Sequence, residues 1–309
     1  MNLPPLKTLP VFEAVARLNS FSRAAEELNV SQSAVSHQIK LLEAHLGEPL
    51  FHRGGRHLSL SEQGQVFYEG ISSALLQIER TTDQLLGRSD TRLRLAVFSS
   101  FAVRWLIPRL PTLQRECPAI DLALEMTSES PTLSDRVADC FITIHQDNPA
   151  FQYDLLYSER LFPICSRAYW QEIQGGTSEA ITSLSPEAIA GYPLLSTYSI
   201  FGEESGDWRK WFAVADQPLP RTAKLQHFSH MLLALEAARH HQGIALTNDY
   251  MLNTLEDAGD FVRLPCHTLI TGDRFYFAHK IGRRNEPALR SLRQWLVKEA
   301  IHSGLRDPR

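Results

Sequence analysis

The chain has 309 residues, enough for two or more domains, and its 43% apolar and 21% charged residues are typical of a soluble globular protein. The formal net charge of −4 argues against a uniformly basic nucleic-acid-binding protein. Four cysteines without a CxxC pair favour reduced thiols over a zinc site or a disulfide framework, and neither a signal peptide nor a membrane-spanning run is evident, so a cytoplasmic protein is expected.

Three helices are predicted near the N-terminus. Apolar residues at helical spacing over 1–18 predict the first, and Ser22–Leu28 predicts the second. Asn29 is expected in the turn that follows, because asparagine tolerates the left-handed backbone of a sharp bend. Ser31 is predicted to cap a third helix, and Gly47 to end it.

The third helix has a buried stripe and a polar face. The stripe recurs at spacings of three and four residues, at Val35, Ile39, Leu42 and Leu46. The opposite face carries short or polar side chains that hydrogen-bond base edges and phosphates: Gln32, Ser33, Ser36, His37 and Lys40. This pattern predicts a recognition helix for the DNA major groove. The alternative is an ordinary helical hairpin with a solvated face.

A β-hairpin is predicted after this helix. Two short strands, at 50–51 and 57–60, flank a Gly-Gly turn. Arg53 and Arg56 at that turn are expected to lie beside the phosphate backbone or in the minor groove. The alternative is a solvated turn that needs glycine and carries arginine by coincidence.

Ser61 begins a long predicted helix that reaches about residue 86. Its inward positions alternate spacings of three and four: Tyr68, Ile71, Leu75, Ile78, Thr82 and Leu85. This seam predicts pairing with a second copy of the chain, and packing within the monomer is the alternative. The segment 87–90, Gly-Arg-Ser-Asp, is expected to be the hinge between domains.

From residue 92 onward, predicted strands alternate with predicted helices, which indicates an α/β domain with a parallel-type sheet. The strands are expected at 93–97, 120–126, 140–144, 161–166, 194–197, 225–228, 243–246 and 275–278. The helices are expected at 101–117 (broken by Pro108), 186–190, 208–214, 229–241 and 287–300. Trp208 and Trp211 are assigned to the core of this domain.

Polar residues follow several of these strands. In open α/β folds, ligands bind beyond the carboxyl ends of strands, where helix N-termini offer free amides and a positive dipole. The candidate effector-binding residues are Ser99, Ser100, Phe101, Thr127, Ser128, Thr197, Tyr198, Phe228, Ser229 and His230. None of these candidate residues is an arginine or a lysine, which suggests a small polar ligand such as an amino acid. Helix capping is the alternative role for each hydroxyl.

The stretch Ser20–Arg53, SFSRAAEELNVSQSAVSHQIKLLEAHLGEPLFHR, resembles the winged helix-turn-helix of LysR-type transcriptional regulators. The helix pair, the Leu-Gly stop and the PLFxR start of the wing occur in register. His37 stands where much of that family has arginine, and it resembles the branch of the glycine-cleavage activator, the β-lactamase regulator and the D-serine deaminase activator. Residues 92–300 resemble the family's effector domain more loosely, through motifs at 105–110, 118–122, 163–166, 236–238 and 243–246.

This resemblance implies an α-helical winged helix-turn-helix DNA-binding domain at 1–60 and a long linker helix for dimerisation, with the hinge, at 61–90. It implies an α/β two-lobed effector-binding domain, similar to the type 2 periplasmic binding proteins, at 91–309. The lobes are expected at about 91–163 with 275–309, and at about 164–274. The implied partners are double-stranded promoter DNA, a small effector such as glycine or D-serine, further copies in a homodimer or homotetramer, and RNA polymerase. No cofactor, metal or membrane is implied.

Two other functions stay open at this point. A cytoplasmic small-molecule binding protein without direct DNA regulation would use the N-terminal module for protein contacts alone. An enzyme is disfavoured, because no G-x-S-x-G, P-loop or HExxH motif occurs. A metal site is also disfavoured: His240 and His241 point in different directions on a helix, and His227 and His230 have no evident acidic or cysteine partner nearby.

Overall fold

The computed structural model describes residues 3–52, 58–85, 92–127, 130–175, 181–197, 203–252 and 259–307. The chain divides into two compact units, Met1–Asp90 and Thr91–Arg309. Across the described ranges, no helix combines the length and the apolar character that a bilayer crossing needs.

Three helices form the base of the N-terminal unit: α1 (Thr8–Leu18), α2 (Phe21–Glu27) and α3 (Gln32–Leu46). They pack around one core, whose fully buried side chains include Phe12, Val15, Ala24, Val35, Ile39 and Leu42. Alanine at position 24 lets α2 approach its neighbours closely, and burial of these apolar groups is the main stabilising contribution.

The ends of these helices follow local backbone chemistry. The Ser31 hydroxyl accepts a hydrogen bond from the Ala34 N–H at 3.2 Å and so caps α3. Asn29 and Gly47 both adopt positive φ, 53° and 75°, which turns the chain before and after α3. The predicted cap, turn and stop are therefore confirmed.

A short hairpin follows, with strands β1 (Phe51–His52) and β2 (Ser59–Leu60) paired antiparallel. The Glu43 carboxylate accepts a hydrogen bond from the Leu50 N–H at 2.9 Å, which ties the hairpin to α3. The predicted turn residues Arg53 and Arg56 lie outside the described residues.

The long helix α4 spans Glu62–Leu85. Tyr68 is buried against the core of the N-terminal unit, with its ring 6.2 Å from that of Phe12, and Ile71 and Leu75 pack on the same core. Ile78, by contrast, is 63% exposed. The alternative of packing within the monomer therefore holds for Tyr68, while Ile71 and Leu75 are only partly buried in the monomer and keep surface for a second copy. The Leu85 side chain and the predicted hinge at 87–90 lie outside what the structure describes.

The described strands of the C-terminal unit are β3 (Arg92–Phe98), β4 (Asp121–Thr127), β5 (Cys140–Thr143), β6 (Phe151–Ser166), β7 (Leu194–Thr197), β8 (Leu225–Phe228), β9 (Ile244–Thr247), β10 (Phe261–Arg263) and β11 (Leu269–Lys280). They form one mixed sheet in the order β4-β3-β5-β11-β6-β9-β7-β8, with β10 paired to β6.

Two parallel groups give this sheet its lobes: β3, β4 and β5 in lobe I, and β7, β8 and β9 in lobe II. The long strands β6 and β11 run antiparallel to their neighbours and join the lobes. The predicted parallel-type sheet is thus confirmed within each lobe and wrong at its centre, where the two strands that cross between the lobes are antiparallel to their neighbours. The first part of β6, residues 151–160, and most of β11 were not predicted as strands.

Helices cover the sheet. Ser99–Phe101 (α5) continues through a π-helical turn at Ala102–Leu106 and a 3₁₀ turn at Ile107–Arg109 into α6 (Leu110–Glu116). The others are α7 (Arg167–Ile173), α8 (Pro186–Ala190), α9 (Gly206–Val214), α10 (Met231–Arg239) and α11 (Pro287–His302). Trp208 and Trp211 are fully buried in lobe II, as predicted.

Candidate functional site

The N-terminal half of α3 presents a polar face. Gln32, Ser33, His37 and Lys40 are exposed, and Ser36 is half-buried, while Val35 and Ile39 on the other side are buried. The Ser31 and Ser33 hydroxyl oxygens lie 2.9 Å apart at the start of the helix. This face therefore offers amide, hydroxyl, imidazole and ammonium groups to a surface that the helix N-terminus also makes favourable for phosphate.

A cavity of about 100 Å³ lies in the C-terminal unit. It is lined by Phe98, Ser99, Ser100, Glu159, Leu161, Thr197, Asp207, Ser229, His230, Met231, Tyr250 and Phe275. Both lobes contribute to it, and the crossing strands β6 and β11 supply Glu159, Leu161 and Phe275.

Five of the predicted effector residues line this cavity: Ser99, Ser100, Thr197, Ser229 and His230. They meet because β3 ends at Phe98, while the parallel neighbours β7 and β8 end together at Thr197 and Phe228. The carboxyl ends of strands from both lobes therefore open toward one space.

The other predicted effector residues do not line the cavity. Phe101 is fully buried beneath it, with its ring 4.8 Å from that of Trp105 and 5.1 Å from that of Tyr250. Thr127 and Phe228 are not among the lining residues. Ser128 and Tyr198 lie outside the described residues.

Tyr250 is a lining residue that the sequence did not reveal. Its phenol oxygen lies 3.2 Å from the Ser100 hydroxyl oxygen, which links the turn after β9 to the helical run after β3. Burial raises the pKa of Tyr250, so the phenol stays neutral and acts as a hydrogen-bonding group.

Two carboxyl groups of the lining were also missed. Burial raises the pKa of Glu159 to about 7, although a hydrogen bond from the Asn248 amide to its carboxylate, 3.0 Å long, opposes that shift. Burial raises the pKa of Asp207 to about 6, and Lys210 opposes it. The sequence did contain a signal for Glu159, which stands close to the apolar strand segment that begins at Leu161. A carboxyl buried beside such a segment is energetically costly, so it indicates a functional site.

The start of α10 also opens at the cavity. His230 is the N-cap residue of α10, and its side chain forms no capping hydrogen bond. The first amides of a helix have no partner within it, and the helix dipole is positive there. The cavity therefore joins hydrogen-bond donors and a positive helix end with acidic groups.

The remaining candidate groups have structural partners. Within the described residues, no group of three or more His, Cys, Asp or Glu is arranged to hold a metal ion. His227 does have an acidic neighbour, contrary to expectation: its Nδ1 lies 3.3 Å from Glu204 Oε1. The His241 Nδ1 lies 2.6 Å from the Ser166 hydroxyl oxygen. Cys165 is a free, buried thiol, and burial raises its pKa to about 12, which makes it unreactive.

Comparison with known proteins matches both units. The family model "Bacterial regulatory helix-turn-helix protein, lysR family" matches residues 6–65, and the "LysR substrate binding domain" matches residues 87–301. The structure of ArgP from Mycobacterium tuberculosis superposes with a TM-score of 0.70 at 22% identity, covering 98% of each chain. The predicted fold class, a helix-turn-helix domain with a two-lobed α/β effector domain, is confirmed.

Two relatives cover nearly the whole chain. The glycine cleavage system transcriptional activator of Escherichia coli (strain K12) is 35% identical, over 96% of this chain and 94% of its own. The HTH-type transcriptional activator AmpR of Providencia stuartii is 33% identical, over 96% of each chain. Both lie in the branch that the sequence resembles. Since family models match both units and these relatives exceed 30% identity, the chain belongs to the LysR family of transcriptional regulators.

Proposed function

We propose that this LysR-family regulator reads promoter DNA with the exposed face of α3 and responds to a small amino-acid-like effector held in the cavity. The observation that carries the DNA-reading part is the geometry of α3. Its N-terminal half is polar and exposed, while its other side is fixed in the core. A helix anchored in this way holds its side chains at defined positions against base edges.

The DNA contacts are assigned by chemistry. Gln32 and His37 suit base edges, and Ser33, Ser36 and Lys40 suit base edges or phosphates. Arg53 and Arg56, which the sequence predicts in a turn, are proposed to contact the phosphate backbone. Since the net charge of the chain is −4, phosphate attraction for one copy is modest. We therefore include a homodimer or homotetramer on dyad-related half-sites in the proposal.

The effector site is assigned to the cavity. The cavity volume of about 100 Å³ is smaller than the roughly 300–1,000 Å³ of pockets for drug-sized ligands, so the cavity suits a small effector. Ser99, Ser100 and the start of α10 offer hydroxyl and amide donors, which suit a carboxylate. An effector bound between the two lobes would shift the equilibrium between their open and closed arrangements. This shift would alter DNA bending or contact with RNA polymerase.

No enzymatic activity is part of this proposal, and a cytoplasmic location follows from binding promoter DNA. Support comes from the relatives, which are named as transcriptional activators. The alternative, a small-molecule binding protein without DNA regulation, makes the opposite prediction for DNA affinity.

Replacement of His37 tests the DNA-reading part. We expect His37→Ala to weaken binding to the promoter region of the protein's own gene by about ten-fold to 100-fold, since a good base contact contributes ~1–3 kcal/mol of discrimination. His45→Ala is the matched control, because His45 is also exposed but lies in the last turn of α3. Fluorescence anisotropy with the promoter and with random DNA of equal length measures both. Equal affinity of the unsubstituted protein for the two DNAs would overturn the proposal.

A further inference from the structure

The cavity contains more acidic groups than a site for a carboxylate alone would need. Glu159 and Asp207 line it, and Asp273 lies close enough to raise the pKa of both. These three carboxyls come from β6, from the first turn of α9 and from β11. Separate elements therefore bring two acidic groups to the cavity wall and a third close to them.

Glu159 is the most buried of the three, with 5% of its surface exposed. One carboxylate oxygen accepts the hydrogen bond from Asn248, and among the described residues no cation forms an ion pair with Glu159. A buried carboxylate without a cation is costly, and side chains of this kind persist where a ligand supplies the missing charge.

The backbone holds Glu159 at this place. Between the paired residues Ser158 and Arg160 of β6 there is one residue, while the partner strand carries 271–273 between Arg274 and Ile270. Glu159 thus lies opposite a bulge in β11, and the Thr271 hydroxyl donates to its carbonyl oxygen at 3.3 Å. Bulges of this kind re-aim side chains near binding sites.

Other charges near the cluster do not cancel it. Lys210 lowers the pKa of Asp207 and of Asp273, and His145 lowers that of Asp273. Asp273 nevertheless keeps one buried carboxylate oxygen, Oδ2, without a hydrogen-bond partner. Lys210 therefore acts on two of the three carboxyls, and the histidines at 145 and 230 lie nearby.

The lining of the cavity also contains hydrogen-bond donors and a positive helix end. Ser229, His230 and Met231 bring the N-terminus of α10 to its wall, and Ser99 and Ser100 add hydroxyl groups. A small ligand that matches both the donors and the carboxyls carries an anionic group and a cationic group a few bonds apart. That is the structure of an α-amino acid.

We propose that the effector is a small α-amino acid, recognised through its ammonium group by Glu159 and Asp207. The inference rests on the proposed function and deepens it, because it names the ammonium group as the part of the ligand that the site requires. A 2-hydroxy acid of the same shape has the same carboxylate but a neutral hydroxyl. It leaves the two buried carboxylates without their cation, so it binds more weakly.

Matched ligand pairs test this directly on the full-length protein. The pairs are glycine with glycolate, and each enantiomer of alanine and serine with the corresponding lactate or glycerate. Isothermal titration calorimetry measures affinity, and the shift in the thermal unfolding midpoint confirms binding to the folded state. We expect at least one amino acid to bind, with its hydroxy acid at least about ten-fold weaker.

Two substitutions locate the recognition. Glu159→Gln and Asp207→Asn keep the shape of the side chain, and each is expected to weaken the amino acid at least about ten-fold while leaving the hydroxy acid little changed. Glu172→Gln is the control, because Glu172 is an exposed carboxyl on α7 of the same lobe. Using two variants keeps the test valid if one of them fails to fold.

The outcomes separate this inference from the proposed function. Equal affinity for an amino acid and its hydroxy acid, or unchanged amino-acid affinity in both variants, would overturn ammonium recognition and leave the effector site standing. Failure of every compound to bind would overturn both the ammonium inference and the amino-acid effector. Promoter binding is measured on the same samples, so the DNA-reading part is judged independently.

Discussion

Ionisation of Glu159 opposes folding of the C-terminal unit. Burial raises the pKa of this carboxyl to about 7 from an ordinary value of 4.5. Between these two pH values the folded state holds a proton that the unfolded state has released. The free energy of unfolding therefore falls as pH rises through this window, by about 3 kcal/mol for a difference of this size. Asp207, whose pKa is raised to about 6, acts in the same direction.

This effect gives a testable pH dependence. We expect the C-terminal unit to be more stable against urea near pH 5 than near pH 8, and Glu159→Gln to remove much of the difference because glutamine does not ionise. All five tryptophans, Trp105, Trp170, Trp208, Trp211 and Trp295, lie after residue 91, so their fluorescence reports this unit alone. An identical pH dependence in the Glu159→Gln variant would contradict the assignment.

At the residue scale, the hydroxyls of the cavity could be predicted and its carboxyls could not. Ser99 and Ser229 follow, and Thr197 ends, short strands that lie parallel to a neighbour, so their meeting point follows from topology. Glu159 lies on a crossing strand whose predicted start was residue 161, which left it in an apparent loop. No rule of spacing connects it to Asp207, since their proximity depends on how α9 packs on the strands of lobe II and on β11.

At the element scale, the alternation of apolar and polar residues did not identify a strand that contains a β-bulge. The segment 151–155 alternates apolar and polar residues, but Leu156 follows Leu155 and breaks the pattern. In the sheet, Leu155 pairs with Tyr276 while Tyr157 pairs with Phe275, so Leu156 is an extra, bulged residue. A bulge moves later side chains to the other face, and a strict period of two does not survive it.

Gly64, in the first turn of α4, packs directly against the backbone of Leu50. A Cβ atom at this position would lie 2.0 Å from the Leu50 carbonyl oxygen, well inside any real contact. The same carbonyl accepts a hydrogen bond from the Ser61 N–H at 2.9 Å. The hairpin and α4 are therefore joined through backbone atoms, and a side chain at residue 64 would push them apart.

We predict that Gly64→Ala destabilises the N-terminal unit by about 1–3 kcal/mol or more, because a carbonyl group has to move. Gly70→Ala is the matched control on the same helix. Its Cβ would meet nothing within 4 Å, so it should stabilise α4 by ~1 kcal/mol through helix propensity. Far-ultraviolet circular dichroism follows the thermal unfolding of both variants, and tryptophan fluorescence should show the C-terminal unit unchanged. Equal melting of the two variants would refute the close contact.

At the scale of the whole molecule, one copy has limited means to hold DNA. The net charge is −4, and the exposed face of α3 carries one lysine, Lys40, among neutral polar residues. Two copies double the base and phosphate contacts and match a site with dyad symmetry. Ile78, which continues the predicted seam of α4 and is 63% exposed, is the proposed contact for that pairing.

We predict that Ile78→Asp weakens self-association and, as a consequence, promoter affinity. Burial of an aspartate in a helix–helix seam costs several kcal/mol per pair unless its charge finds a partner, so the dimer dissociation constant should rise at least about 100-fold. Gln77→Asp is the control, because Gln77 is exposed one position earlier and gains the same charge. Sedimentation equilibrium measures association, and anisotropy at equal protomer concentration measures DNA binding. If Ile78→Asp stays dimeric, the seam is not the interface. If the variant becomes monomeric but binds the promoter normally, pairing does not contribute to DNA affinity.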